Sequence, residues 1–197
     1  MIRMKRALAV FIALAIAAPI FAIDTRSRVT RIALLDLSSR ATVNRDSFHA
    51  VRDSLRNELH ARGFDAFVTD ATYETLRRDS HLADYYIEIA DVRRSGGGDN
   101  VTIGIGGDHG VIGISDVSAT ASATLWLFDG RTFDVINSYD LESRSSGLAP
   151  ASIGTGGHTF FASFFILPLF EQVHARNAAR KVGRDAGARI ANEIARP

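Results

Sequence analysis

Residues 117–128 alternate without a break. Val117, Ala119, Ala121, Ala123, Leu125 and Leu127 are apolar, and Ser118, Thr120, Ser122, Thr124, Trp126 and Phe128 stand between them. A period of two over that length is a strand with one buried face. Asp129-Gly130 starts a turn, and Phe133, Val135, Tyr139 and Leu141 continue into a partner strand. A two-residue loop would pair Leu125 with Asp134 and mix the faces. An odd loop pairs Leu125 with Phe133 or Asn137 and keeps Leu127, Phe133 and Val135 together, so an odd loop with a glycine bulge is expected.

The first half of the chain reads as alternating strands and helices. Arg28 to Leu37 is β-branched and aliphatic, a buried strand. Asn44 is a candidate N-cap, and Phe48, Val51, Leu55 and Leu59 then recur at helical spacing. Gly63 sits where a C-cap glycine belongs. Phe64 to Thr69 is a second strand. Asp70 is expected to cap a short helix over about 71–80, and Tyr85, Ile87 and Ile89 alternate in a third strand. Eight glycines between Gly96 and Gly113 point to a hairpin over about 96–114.

After the alternating pair, Ser145 to Gly157 reads as a loop rich in Gly, Ser and Ala. Phe160 to Phe170 is almost wholly apolar, within an apolar segment 158–170. A last helix is expected over about 171–195. Ala175, Ala179, Gly183, Gly187, Ala191 and Ala195 recur every four residues, with Val182, Ala186, Ile190 and Ile194 beside them. Such a seam lets a helix backbone approach a sheet or another helix closely. Two internal glycines cost about 1 kcal/mol each against alanine, so packing must compensate.

The start of the chain changes the picture. Arg3, Lys5 and Arg6 precede the apolar run Ala7–Ala18, which Pro19 breaks and Ala22 follows as a cleavage edge. That order of basic, apolar and small residues is a secretory signal peptide over 1–22, implying a periplasmic protein whose leader is cleaved or kept as an anchor. The remaining 23–197 suits a single α/β domain. Of 23 basic and 22 acidic side chains, three basic ones lie in the leader, leaving 20 against 22 and a formal charge of −2. So weak a field does not gather nucleic acid or an anionic membrane. With no cysteine in the chain, thiol catalysis, Cys-based metal sites and lipid attachment at a leader-end cysteine are excluded. After residue 22, arginine almost wholly replaces lysine, and Lys181 stands alone.

No catalytic motif emerges. Gly104, Gly106, Gly107 and Gly110 fit neither G-x-G-x-x-G nor the Walker pattern, and G-x-S-x-G and S-x-x-K are absent. The six histidines form no H-x-x-x-H pair, so neither a metal site nor a cofactor is expected. A site dispersed in sequence, as in a hydrolase or metal-dependent enzyme, would need two of Asp36, Asp84, His109 and His158 to converge in one pocket.

The Phe160–Phe170 run is too short to cross a bilayer as a helix, which takes about 20 residues. It is a buried core helix, a partner-binding or self-association patch, or a segment dipping into one membrane leaflet. The candidate contact set is Phe160, Phe161, Phe164, Phe165 and Phe170.

A resemblance accompanies these patterns. Arg31 to Ser38 (RIALLDLS), Leu82 to Ile87 (LADYYI) and Leu125 to Val135 (LWLFDGRTFDV) resemble the corresponding strands of a group of bacterial envelope proteins. That group includes the curli secretion channel subunit CsgG, the penicillin-binding-protein activator LpoB and the N-terminal domain of TolB. This chain lacks their lipobox cysteine, and Phe133 replaces their turn glycine. The resemblance implies a small periplasmic domain that binds other envelope components. The expected fold is therefore α/β (α+β), one mixed sheet with a strand-helix-strand-helix-strand start, an antiparallel meander, and a C-terminal helix packed on the sheet. The expected role is a non-enzymatic interaction module that binds an envelope protein or itself. The dispersed enzyme and a peripheral membrane protein are the alternatives.

Overall fold

The computed structural model describes residues 29–36, 45–78, 82–97, 105–107, 110–155, 158–160 and 163–196, with side chains described over 29–36, 45–78, 82–96, 116–149 and 168–196. The leader over 1–22, Asn44, Asp108 and His109 lie outside the described residues.

The first strand, β1 (Arg31–Leu35), buries Ile32, Ala33, Leu34 and Leu35, as a strand covered on both faces must. Helix α1 (Arg45–Ala61) follows, and Phe48, Val51, Leu55 and Leu59 form its buried face. It ends in a Schellman cap. The N–H of Gly63 donates to the His60 carbonyl (3.0 Å) and the N–H of Phe64 to the Leu59 carbonyl (3.1 Å). Gly63 takes a φ of 89°, which glycine adopts without the clash a Cβ would bring.

Strand β2 (Asp65–Thr69) pairs parallel with β1. Helix α2 (Tyr73–Arg78) starts later than expected, and its cap is Thr72 rather than Asp70. The Thr72 Oγ1 accepts the Thr75 N–H, and Thr69 Oγ1 accepts the Ala71 N–H. Strand β3 (Tyr85–Gly97) pairs parallel with the other edge of β1, so β1 lies in the middle of the parallel part. The tip strand β4 (Ile105–Gly107) pairs with the start of β5 (Gly110–Asp129), inside the hairpin expected over 96–114.

β5 also pairs antiparallel with β3 and with β6 (Val135–Thr155), and a short β7 (His158–Phe160) closes that edge. The order across the sheet is β2-β1-β3-β5-β6-β7, with β4 on β5. Helix α3 (Ser163–Ile194) completes the chain. The architecture is the expected mixed sheet with α/β start, meander and packed terminal helix.

Further expectations are corrected. Ser145–Thr155, taken as loop, is strand, because Ser145 to Gly154 pair in register with Val111 to Ala119. A ladder needs backbone groups rather than large side chains, so a well-formed partner carries a Gly/Ser/Ala stretch of low intrinsic preference. The last helix starts at Ser163, not near 171, and takes Pro168 inside it.

The turn after β5 is even rather than odd: the Asp129 N–H donates to the Asp134 carbonyl at 2.9 Å, which leaves residues 130–133 between them, and the register differs too. Leu125 pairs with Tyr139, not with Phe133 or Asn137, and the bulge falls at Ile136 rather than at a glycine. The left-handed residue of the loop is Phe133 (φ 62°). Its ring lands on the opposite face from Leu127, stacked on Phe128 at 5.1 Å and 5.3 Å from Tyr86. Val135 is exposed.

Two clusters fill the interior. The larger lies between the sheet and helices α1 and α3, and contains Ile32, Leu34, Leu55, Ile87, Leu125, Val182 and Ile190. The smaller lies under α2, where Leu76, Leu35, Tyr86 and Phe128 meet Tyr73 and Phe133. The small-residue seam of α3 does what its spacing predicts. A Cβ at Gly183 would lie 2.3 Å from the Val51 carbonyl oxygen, and one at Gly187 would lie 2.8 Å from the Glu58 Cβ.

Candidate interaction surface

The surface is built on α1 and α3. The glycine contacts set the two helices side by side and parallel, since Gly183 meets Val51 to Leu55 and Gly187 meets Leu55 and Glu58. α3 is held along its length. The Arg94 guanidinium on β3 bonds the Glu171 carboxylate at 3.2 Å. His174 Nδ1 and Ser145 Oγ on β6 are 3.1 Å apart. Near the far end, Tyr139 O–H and Asn137 Nδ2 donate to the Glu193 carboxylate at 2.5 and 2.9 Å. Those donors, Tyr139 first, hold the Glu193 carboxyl below the usual carboxylate range. Burial, aided by the facing Glu193 charge, pushes the Tyr139 hydroxyl above the usual tyrosine range.

Where the two helices part on the solvent side, they leave a groove of about 920 Å³. One wall is α1, with Asp46, His49, Asp53 and Asn57. The other is α3, with Leu169, Val173, Arg176, Arg180 and Arg184. Arg94 lies among the lining residues. Two of the three acids that line the α1 wall, Asp53 and Glu58, are engaged within the chain, and Asp46 is the third. Arg52 bonds both Asp53 (3.0 Å) and Asp36 (2.8 Å), and Arg62 bonds Glu58 (2.8 Å). Among the described residues no carboxylate pairs with Arg176, Arg180 or Arg184.

The expected contact set falls at the start of this same helix. Phe160 ends β7, and Phe164 and Phe165 belong to the first turn of α3. Phe161 and the side chains of Phe160, Phe164 and Phe165 lie outside the description. Phe170 is half-buried. Two apolar residues of α3 that flank Phe170 face water: Leu169 is 62% exposed and Val173 55%.

The dispersed catalytic site draws no support from its described members. Asp36 follows the last residue of β1 and bonds Arg52, whereas Asp84 accepts the backbone N–H of Arg31 at the first residue of that strand (2.8 Å). Five strand residues separate them, about 17 Å. His109 and the His158 side chain lie outside the description. Among the described residues no three His, Asp or Glu side chains cluster as metal ligands, and no helix is long and apolar enough to cross a membrane.

Sequence reasoning passed over the arginine row and the Tyr139–Glu193 contact. The row was visible as Arg176, Arg180 and Arg184, four residues apart and one position after the seam at Ala175, Ala179 and Gly183. The Tyr139–Glu193 pair spans 54 positions and left no local signal.

Comparison with protein-family models finds no match, and comparison with curated proteins finds none either. The solved structures similar to this chain include bacterial lipoproteins. One is a minor lipoprotein from Acinetobacter baumannii (9% identity, 84% of this chain and 94% of that one, TM-score 0.47). Another is a putative lipoprotein from Caulobacter crescentus (10% identity, 86% and 93%, TM-score 0.40). The PelC dodecamer from Paraburkholderia phytofirmans is also similar (18% identity, 81% and 85%, TM-score 0.36). Likeness at this level carries no argument about activity, partner or location.

Proposed function

We propose that the chain is an exported, periplasmic, non-enzymatic interaction module of the bacterial cell envelope, acting by protein binding or self-association. The observation that supports this best is the exposure of Leu169 and Val173 at the start of α3. Large apolar side chains facing water one or two turns after a phenylalanine run mark an interface rather than a core. The leader-like start and the resemblance to the CsgG, LpoB and TolB group point the same way. The contact set is Phe160, Phe161, Phe164, Phe165 and Phe170, continued by Leu169 and Val173.

The test is a crosslinking pull-down from the native envelope with the chain carrying Phe161→Ser and Phe165→Ser. The expected result is loss of the captured partner, or of the chain's own oligomer, with an unchanged circular dichroism spectrum. Loss of folding would place these rings in the core and overturn the reading, as would a product left unprocessed in the cytosol on fractionation.

A further inference from the structure

Arg176, Arg180 and Arg184 stand at intervals of four on one side of α3, along the groove. Like charges at that spacing repel and destabilise an isolated helix. None of the three has a carboxylate partner among the described residues. The row continues a stripe that begins with the exposed Leu169 and Val173. The stripe from 169 to 184 is about 22 Å long, and its arginines are about 6 Å apart along the axis.

We propose that this groove docks an acidic amphipathic helix of a partner protein. Such a helix carries acids at the same four-residue interval, so its carboxylates meet the guanidinium groups one to one. Its apolar residues cover Leu169 and Val173. Guanidinium forks suit carboxylates in two-point hydrogen bonds, which a solvated row does not use. In a second copy the groove acids Asp53 and Glu58 are already bonded to Arg52 and Arg62, and self-association is kept as an outcome of the test. The proposal rests on the protein-binding role and names the chemistry of the partner.

The test uses the full chain and a labelled helical peptide of about 16 residues, long enough to span the stripe. The peptide has Glu at every fourth position and Leu on the adjoining face. Fluorescence anisotropy should show binding that weakens with salt and is lost when the peptide's Glu are replaced by Gln. Arg176→Gln with Arg180→Gln and Arg184→Gln should weaken binding about tenfold or more, since close charge pairs across an interface are strongly coupled. Leu169→Ser with Val173→Ser should weaken it as well. The thermal midpoint of the triple variant should hold or rise. If the triple variant fails to fold, Arg180→Gln alone decides, read as a smaller loss of affinity.

Equal affinity for the Glu and Gln peptides overturns the proposal, as does an unaffected triple variant. So does a row needed instead for binding phosphatidylglycerol vesicles, or for self-association in sedimentation. A triple variant that still captures its envelope partner through Phe161 and Phe165 would sink the groove and leave the interaction role standing.

Discussion

Gly183 of α3 faces the carbonyl of Val51 on α1 so closely that a methyl group at 183 would lie 2.3 Å from that oxygen. The obstacle is backbone, which a rotamer change does not relieve. Gly183→Ala gains about 1 kcal/mol of helix propensity but must push the helices apart at a cost of about 1–3 kcal/mol. The expected outcome is net destabilisation. Urea unfolding should show a lower midpoint, and Gly187→Ala a smaller drop, since its nearest obstacle is the Glu58 side chain.

Tyr86 is fully buried, and its hydroxyl has no hydrogen-bond partner among the described residues. An unsatisfied buried hydroxyl costs about 1–3 kcal/mol. Tyr86→Phe removes it and keeps the ring against Phe133. A thermal midpoint that rises is the expected outcome, and a fall of several degrees would show that the hydroxyl has a partner.

Phe133 holds a left-handed backbone because its ring stacks on Phe128 and meets Tyr73 edge-on at 5.6 Å. A glycine there relieves backbone strain of about 1–2 kcal/mol but gives up a half-buried ring packed on Phe128 and Tyr73, at the low end of the about 3–5 kcal/mol that loss of a core phenylalanine costs. Phe133→Gly should therefore destabilise the fold despite its easier turn. Denaturant unfolding followed by tyrosine fluorescence checks the sign.

Two carboxyls make stability fall on the acid side. The backbone N–H groups of Thr132 and Arg131 hold Asp129 below the usual carboxylate range, and Tyr139 with Asn137 does the same for Glu193. A carboxyl whose folded pKa is depressed contributes stability that is present above its unfolded pKa. That contribution is lost as pH falls through the folded value. Unfolding midpoints should thus drop below about pH 4.3, the ordinary value for glutamate. Tyr139→Phe removes a donor and should flatten this acid limb. It should also raise the Glu193 titration midpoint seen by NMR.

Much of the fold was legible in the chain, for reasons that differ by element. Phe48, Val51, Leu55 and Leu59 share one helical face, and Gly63 ends that helix with a hydrogen-bonding pattern only a few residues long. The alternation at 117–128 placed Ala119, Ala121 and Leu125 inward, where they are found. What was misread depended on distant partners. Ser145–Thr155 is strand because Val111–Ala119 lies beside it. Leu125 meets Tyr139 because Phe133 is drawn into an aromatic cluster with Tyr73 and Tyr86, up to 60 positions away. Pro168 reads as a stop and is accommodated early in a long helix. The arginine row was plain in spacing, but its lack of internal partners becomes visible only when every nearby acid is placed.

α3 packs on α1 from the start of the chain and on β5 and β6 from its second half. The larger of the two clusters therefore does not close without it. During synthesis this helix is made after every strand it covers, so those strands emerge with their apolar face unprotected. Until residues 163–194 are made, that face has no cover within the chain.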